Sequence, residues 1–250
     1  MTNRNLGESM SEQTPYKFNI DNNREILLNL PEGVFVPTGT TTNLINAVKG
    51  YLKEPGKVLD LGAGSGVVGI ALYLNSLVKS PLYASDLSER SIECIQKNAE
   101  IHQIPVVTKT GSLFEPWNGN TFDYIVDDIS GVAEEVAALS QWFDNVPCQA
   151  GVDGADLVIR VLQEAPEYLN PGGVLFFPVL SLSNSERILN TAHQHFGQVK
   201  LLRHEEWPLP KEMYQHMETF NRLRAEGYIQ YEEKFGMMLW STDIYAAFNS

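Results

Sequence analysis

The residues best suited to chemistry are three aspartates and a run of glycines. Asp60-Leu61-Gly62-Ala63-Gly64-Ser65-Gly66 follows a short apolar run and precedes an apolar segment with helical spacing. Side-chain-free residues at such a junction let a ligand lie against backbone N–H groups and a helix N-terminus. Asp86 ends the next apolar run and Asp128 a later one, so each carboxylate falls where a strand would hand over to a loop. From there Asp86 can accept both hydroxyl hydrogens of a ribose, with capping of the following helix as its alternative.

The loop also contains Gly64-x-Gly66-x-x-Gly69, which satisfies the dinucleotide fingerprint. Asp60 weighs against a dinucleotide, because a carboxylate two residues before the first glycine crowds a pyrophosphate. It suits a cofactor that carries an ammonium and a sulfonium, S-adenosylmethionine (SAM). Bracing of the loop is the other role open to Asp60. Further on, Gly111-Ser112-Leu113-Phe114 offers a backbone N–H and an apolar side chain to an adenine, although Phe114 suits the core equally.

Elements that could position these residues are legible from the apolar pattern. From residue 57, short apolar runs alternate with amphipathic stretches, the rhythm of βα units on a parallel sheet. Strands are expected at 58–61, 82–85, 105–108, 124–126 and 174–179, with helices at 67–77, 89–102, 132–143 and 155–169. Ser183 and Glu186 have capping-box spacing for a later helix, and Asn170-Pro171-Gly172-Gly173 reads as a sharp turn that stops a helix. Two more strands, 197–204 and 236–248, bracket a polar helical insertion at about 207–230.

Ahead of the core, apolar runs at 25–30 and 34–36 flank Pro31-Glu32-Gly33, which reads as a hairpin turn. The Thr40-Thr41-Thr42 cluster can cap a helix that carries Leu44, Ile45, Val48 and Leu52. Residues 1–23 are expected to be a flexible segment and 24–250 a single domain.

In this pattern the chain resembles the class I SAM-dependent methyltransferases, and within them the HemK-like glutamine methyltransferases that modify release factors. The similarity runs over 35–179. It rests on Val36-Pro37-Thr38-Gly39-Thr40-Thr41, on 58–66, on Ser112-Leu113-Phe114-Glu115-Pro116 and on Ala150-Gly151-Val152-Asp153-Gly154-Ala155-Asp156. The resemblance implies an α/β Rossmann-like fold with a seven-stranded, mostly parallel sheet and helices on both faces. It implies SAM as cofactor, held by Thr41, Asp60, Gly62, Ala63, Gly64, Gly66, Asp86, Leu87, Ser112, Leu113 and Asp128.

The departure falls on the chemistry. Where that family carries Asn-Pro-Pro-Tyr to hold a planar nitrogen acceptor, this chain reads Asp128-Ile129-Ser130-Gly131. Asp128 keeps an acceptor but adds a charge, Ile129 keeps only a carbonyl, and Gly131 cannot stack. Asp128, Ile129 and Ser130 are the expected catalytic positions, with helix capping by Asp127 and Asp128 as the alternative. Trp142, Phe143, Trp207 and Tyr214 are the aromatics available to enclose an acceptor or to pack a corner.

Composition narrows the partners. Eighteen Lys+Arg against 31 Asp+Glu leave a formal charge of −13, which repels phosphate backbones and disfavours nucleic acid. Cys94 and Cys148 read as free thiols, and His193 and His195 lack a third metal ligand nearby. Without a signal peptide or a long apolar run, a soluble cytoplasmic enzyme with no membrane partner is expected. The favoured acceptor is a small metabolite, cationic ones included. The alternatives are a SAM-consuming reaction on the aminobutyrate chain, a protein glutamine or amine methyltransferase, and a non-catalytic SAM-binding subunit.

Overall fold

A computed structural model describes residues 15–21, 24–129, 131–143, 146 and 148–249. Strand β1 (Tyr16–Asp21) and β2 (Arg24–Leu28) form an antiparallel hairpin in which Phe18 lies opposite Ile26. Alternation puts Phe18, Ile20, Ile26 and Leu28 into the core. This corrects two expectations. The fold takes in the chain from Tyr16 rather than from residue 24, and the hairpin does not turn at Pro31-Glu32-Gly33. That segment makes a local turn closed by the Val34 N–H on the Pro31 carbonyl, 3.3 Å.

The main sheet is built from β3 (Val58–Leu61), β4 (Leu82–Asp86), β5 (Val106–Thr110), β6 (Phe122–Asp127), β7 (Leu169–Leu180), β8 (Gln198–Pro208) and β10 (Met237–Phe248), in the order β5-β4-β3-β6-β7-β10-β8. The first five of these strands run parallel to their neighbours, and β10 is antiparallel to both β7 and β8. A three-residue strand, β9 (Glu232–Lys234), adds to β10 as an eighth member. Residues 170–173, expected to reverse the chain, instead bulge out at the start of β7, where Leu169 and Val174 pair with Phe122 and Tyr124.

Helices α1 (Gly39–Tyr51) and α2 (Val67–Leu74) cover one face, packing with the hairpin on Val58, Phe176 and Ile244. Helices α5 (Asp156–Glu164) and α6 (Ser185–His195) cover the other, on Leu59, Ile125, Leu175 and Phe177. Adjacent residues of one strand thus serve opposite cores, as the pleat requires. Helix α3 (Glu89–Ile101) follows β4 and is capped by Ser88.

Three caps differ from the sequence expectation. Helix α1 starts from Thr38 rather than from the Thr40–Thr42 cluster. Helix α6 starts from Asn184, whose side chain accepts from the Arg187 N–H at 3.1 Å, while the Ser183 hydroxyl turns back to the Leu180 carbonyl at 2.7 Å. Helix α4 shrinks to Glu134–Leu139 because the Ala133 N–H bonds to the Leu182 carbonyl, 2.9 Å, pulling its start out of helical register.

The insertion holds a 3-10 segment, Lys211–His216, and α7 (Met217–Ala225). Its Leu209, Met213, Phe220 and Leu223 form a third core with Val132, Val136 and Trp240. The insertion therefore leans on the segment that follows Asp128. Among the described residues, no helix is long and apolar enough to cross a membrane.

Candidate active site

Parallel strands place their C-terminal ends along one sheet edge, the edge at which open α/β sheets bind ligands. Asp60 lies in β3, Asp86 ends β4, and Asp127 ends β6 with Asp128 just beyond it. Gly62, Gly64 and Gly66 take φ of 65°, 54° and 77°, a left-handed run that side chains resist. A Cβ placed on Gly64 meets nothing nearer than the Phe35 Cβ, at 3.9 Å, so the backbone there is open to an approaching group. The Ala63 N–H bonds the Ser85 carbonyl at 2.9 Å and ties the loop to β4.

Asp86 holds this loop. One carboxylate oxygen accepts from the Gly64 N–H and the other from the Ser88 N–H, both at 2.9 Å. It is not the cap of α3, which is Ser88. The Gly111 N–H on the Asp86 carbonyl, 3.0 Å, brings Ser112 and Leu113 alongside. Leu113 is buried and Leu87 is 68% exposed at the rim. Phe114 belongs to the core, stacked on Tyr168 with ring centroids 4.5 Å apart.

Asp60 is fully buried and braces the loop by accepting from the Gly69 N–H at 2.8 Å, while its other oxygen has no partner. Burial drives its carboxyl well above the ordinary value, and Asp128, Asp86 and Asp127 add like charge.

Asp128 receives the Thr41 hydroxyl at 3.0 Å, and the same Thr41 oxygen accepts from the Thr38 N–H at 3.3 Å. The first turn of α1 thereby sets the orientation of Asp128, across 87 residues of sequence. Asp127 accepts from the Ile129 N–H at 2.8 Å, and its second oxygen is buried without a partner. Neither aspartate caps a helix, since α4 begins from Ala133. The Ile129 side chain lies directly over Gly62, where a Cβ would come within 2.1 Å of its Cγ1. Ile129 therefore contributes a packed side chain as well as a backbone. Ser130 falls outside the described residues. Gly131 is sealed: a Cβ there would meet the Ala150 Cβ at 2.1 Å, so no aromatic ring fits at this position.

Burial pushes both Asp127 and Asp128 up to about 7, against the opposing hydrogen bonds from Ile129 and Thr41. Between pH about 4 and about 7 the folded chain thus binds more protons at these groups than the unfolded one. Their contribution to stability falls as pH rises through that window and is level above it. Asp127→Asn is expected to stabilise the ligand-free chain at pH 8 by on the order of 3 kcal/mol and to change little at pH 4. Urea unfolding of parent and variant at the two pH values checks this, and equal gains at both would contradict it.

The aromatic expectations divide. Trp207 and Tyr214 pack a corner: the Trp207 indole N–H reaches the Thr242 hydroxyl at 3.2 Å, and the Tyr214 oxygen accepts from the Met238 N–H at 2.9 Å. Trp142 lines a cavity of about 230 Å³ together with Val34, Val36, Pro37, Thr38, Gln141 and Val146. Phe143 packs on Phe35, ring centroids 5.9 Å apart. Phe35, which faces Gly64, carries no sequence signal beyond its place just before Val36-Pro37.

These residues fit SAM. The loop is open at Gly64, two buried carboxylate oxygens have no partner, and among the described residues no Lys, Arg or His pairs with Asp60, Asp86, Asp127 or Asp128. A cationic ligand there would favour the ionised carboxylates that burial alone disfavours.

Comparison with known proteins agrees. Residues 32–128 match the family described as Methyltransferase small domain. The chain is 31% identical to a release factor glutamine methyltransferase of Geobacter sulfurreducens over 164 residues, 62% of this chain and 56% of that protein. It is 35% identical to a ribosomal protein L11 methyltransferase of Thermotoga petrophila over 107 residues, 42% and 39% of the two. The chain thus spans about half or less of these relatives. In fold it is similar to a Thermus thermophilus 16S rRNA N2 G1207 methyltransferase solved with SAM and guanosine, with a TM-score of 0.62, 17% identity and coverage of 95% of this chain and 50% of that one. Residues 32–128 thus match the methyltransferase small domain, within a chain whose fold is similar to that of a SAM-dependent methyltransferase.

Proposed function

We propose that the chain is a SAM-dependent N-methyltransferase whose acceptor is a side-chain nitrogen of a protein. The observation that carries this reading is the Thr38–Thr41–Asp128 relay at the end of β6, beside the Gly62 loop. It holds one carboxylate in a fixed orientation where an acceptor N–H would meet the cofactor's methyl group. The relatives named above act on a release factor and a ribosomal protein, which favours a protein acceptor over the small metabolite suggested by composition. The charge of −13 also disfavours a polyanion.

SAM supplies an electrophilic methyl group on a sulfonium. The chain's own residues do the rest. Asp128 accepts the acceptor's N–H and aims its lone pair. Thr41 and Thr38 keep Asp128 from turning, and Ile129 covers Gly62 and excludes water from that side.

A melting series tests the cofactor side. A ligand at a hundred times its Kd stabilises by ~2.7 kcal/mol, and each kcal/mol moves the midpoint of a chain this size by roughly 2–4 °C. SAM and S-adenosylhomocysteine are expected to raise the midpoint while NAD leaves it unchanged. A shift with NAD alone would sink the reading.

A further inference from the structure

We propose that Asn98, in α3, is a positioning residue for cofactor binding: its side-chain amide joins the backbone of Asn29 to the carbonyl of Ser65, so that the strap formed by residues 29–38 and the glycine loop close on SAM together. The inference rests on the SAM-binding reading. Asn98 is fully buried, so it acts from behind the loop and not on a ligand. A side-chain amide has two N–H donors and one carbonyl acceptor. In Asn98 the donors go to the Ser65 carbonyl at 2.9 Å and the Asn29 carbonyl at 3.2 Å, and the acceptor takes the Asn29 N–H at 2.7 Å. Asn29 is thereby gripped at both of its backbone polar groups, as a neighbouring strand would grip it.

Asn98 belongs to a row, Arg90, Cys94, Asn98 and His102, spaced every fourth residue along α3 to its C-cap and therefore on one face of the helix. Each member holds the chain between Leu27 and Gly33. The His102 Nε2 lies 2.8 Å from the Leu27 carbonyl, the Cys94 thiol donates to the Asn29 carbonyl at 3.1 Å, and Arg90 Nη1 donates to the Glu32 carbonyl at 2.8 Å. Burial pushes the Cys94 thiol up to about 11, so it stays a donor at neutral pH. Gly33, at φ 81°, rests on Arg90, where a Cβ would come within 2.9 Å of Nη1. Asn98 is the member of this row whose hydrogen bonds also reach the glycine loop.

Beyond Gly33 the strap crosses the loop, where Phe35 faces Gly64, and it ends at Thr38, whose N–H donates to the Thr41 oxygen that holds Asp128. The Ser65 carbonyl lies between Gly64, whose N–H is on Asp86, and Gly66, the N-cap of α2. Holding that carbonyl fixes the peptide plane between two left-handed glycines. Ser65 is buried, so water does not replace Asn98 if the amide is lost. The form of the loop and the place of the strap thus depend on one side chain. By linkage, a ligand that stabilises the closed pair tightens the strap on α3.

Hydrogen exchange and calorimetry on the full chain with S-adenosylhomocysteine test this. The ligand is expected to slow exchange of the backbone amides within residues 29–33 about tenfold. Asn98→Asp keeps the acceptor for the Asn29 N–H and removes both donors. It is expected to weaken the ligand about twentyfold and to abolish the protection of residues 29–33. Arg90→Ala removes an exposed tie to the strap and leaves the loop's own hydrogen bonds in place. It is expected to weaken the ligand about fivefold without moving the melting midpoint of the ligand-free chain. His102→Ala removes a tie from the same row to β2, ahead of the strap, and is expected to leave the affinity unchanged. Should Asn98→Asp fail to fold, Arg90→Ala and the exchange of the parent decide. Parental affinity in Arg90→Ala or in folded Asn98→Asp, equal losses in Arg90→Ala and His102→Ala, or exchange at residues 29–33 unmoved by the ligand would overturn the inference and leave the methyltransferase reading standing. Failure of S-adenosylhomocysteine to bind the parent overturns both.

Discussion

Asp86→Ala is expected to weaken SAM binding by at least a hundredfold in a calorimetric titration. Both oxygens of this carboxylate accept backbone N–H groups, from Gly64 and from Ser88, so it fixes the bend over which a cofactor lies. A hydrogen bond to a charged group contributes ~1.5–3 kcal/mol. Losing two of them, with the negative charge that faces a cationic ligand, removes about 3 kcal/mol or more, and every ~1.4 kcal/mol is tenfold in affinity. The fold should survive, because α3 has its own cap in Ser88 and the loop keeps its Ala63 link to β4. An unchanged Kd in a well-folded variant would show that Asp86 is only a brace.

Gly62→Ala is expected to damage stability and turnover together. The residue sits at φ 65°, which costs a side-chain-bearing residue ~1–2 kcal/mol. The added methyl would also press into Ile129 Cγ1 at 2.1 Å, and such overpacking costs ~1–3 kcal/mol. With about 3 kcal/mol lost, the melting midpoint should fall by roughly 6–12 °C. A backbone shift of Ile129 would carry its neighbour Asp128 with it, and a displacement of ~1 Å at a reacting group can cost 100-fold in rate. A companion variant, Gly62→Ala with Ile129→Ala, removes the clash and should recover part of the midpoint but not the rate. Full activity in the single variant would mean that Ile129 does not help to position Asp128.

How much of this was legible in the sequence depended on whether the deciding contact was local. Strand β3 is legible at its observed bounds because an apolar run meeting a glycine loop is a strong local pattern. The hairpin is hidden because Pro31-Glu32-Gly33 is strong turn chemistry, whereas the β1–β2 pairing rests on the alternation of Phe18 and Ile20, which polar neighbours obscure. The α6 cap went to Asn184 because its side chain also reaches Asp153 at 3.0 Å, a contact 31 residues away that outweighs the Ser183 spacing. At the site, the carboxylates and glycines were legible from type and position. The Thr41 hydroxyl on Asp128, the closure of Gly131 by Ala150 and the approach of Phe35 to Gly64 are tertiary facts that no local pattern encodes.

The place of β10 between β7 and β8 has a bearing on biosynthesis. A ribosome makes β7 and β8 well before residues 237–248, yet β10 is the strand that joins them. Until it emerges, the flank of β7 that it will occupy is an open edge on a strand carrying Phe176 and Phe177, and such edges invite pairing with other chains. The sheet therefore cannot close co-translationally from the N-terminus alone. A nascent polypeptide halted before residue 237 should be a substrate for chaperones rather than a folded intermediate.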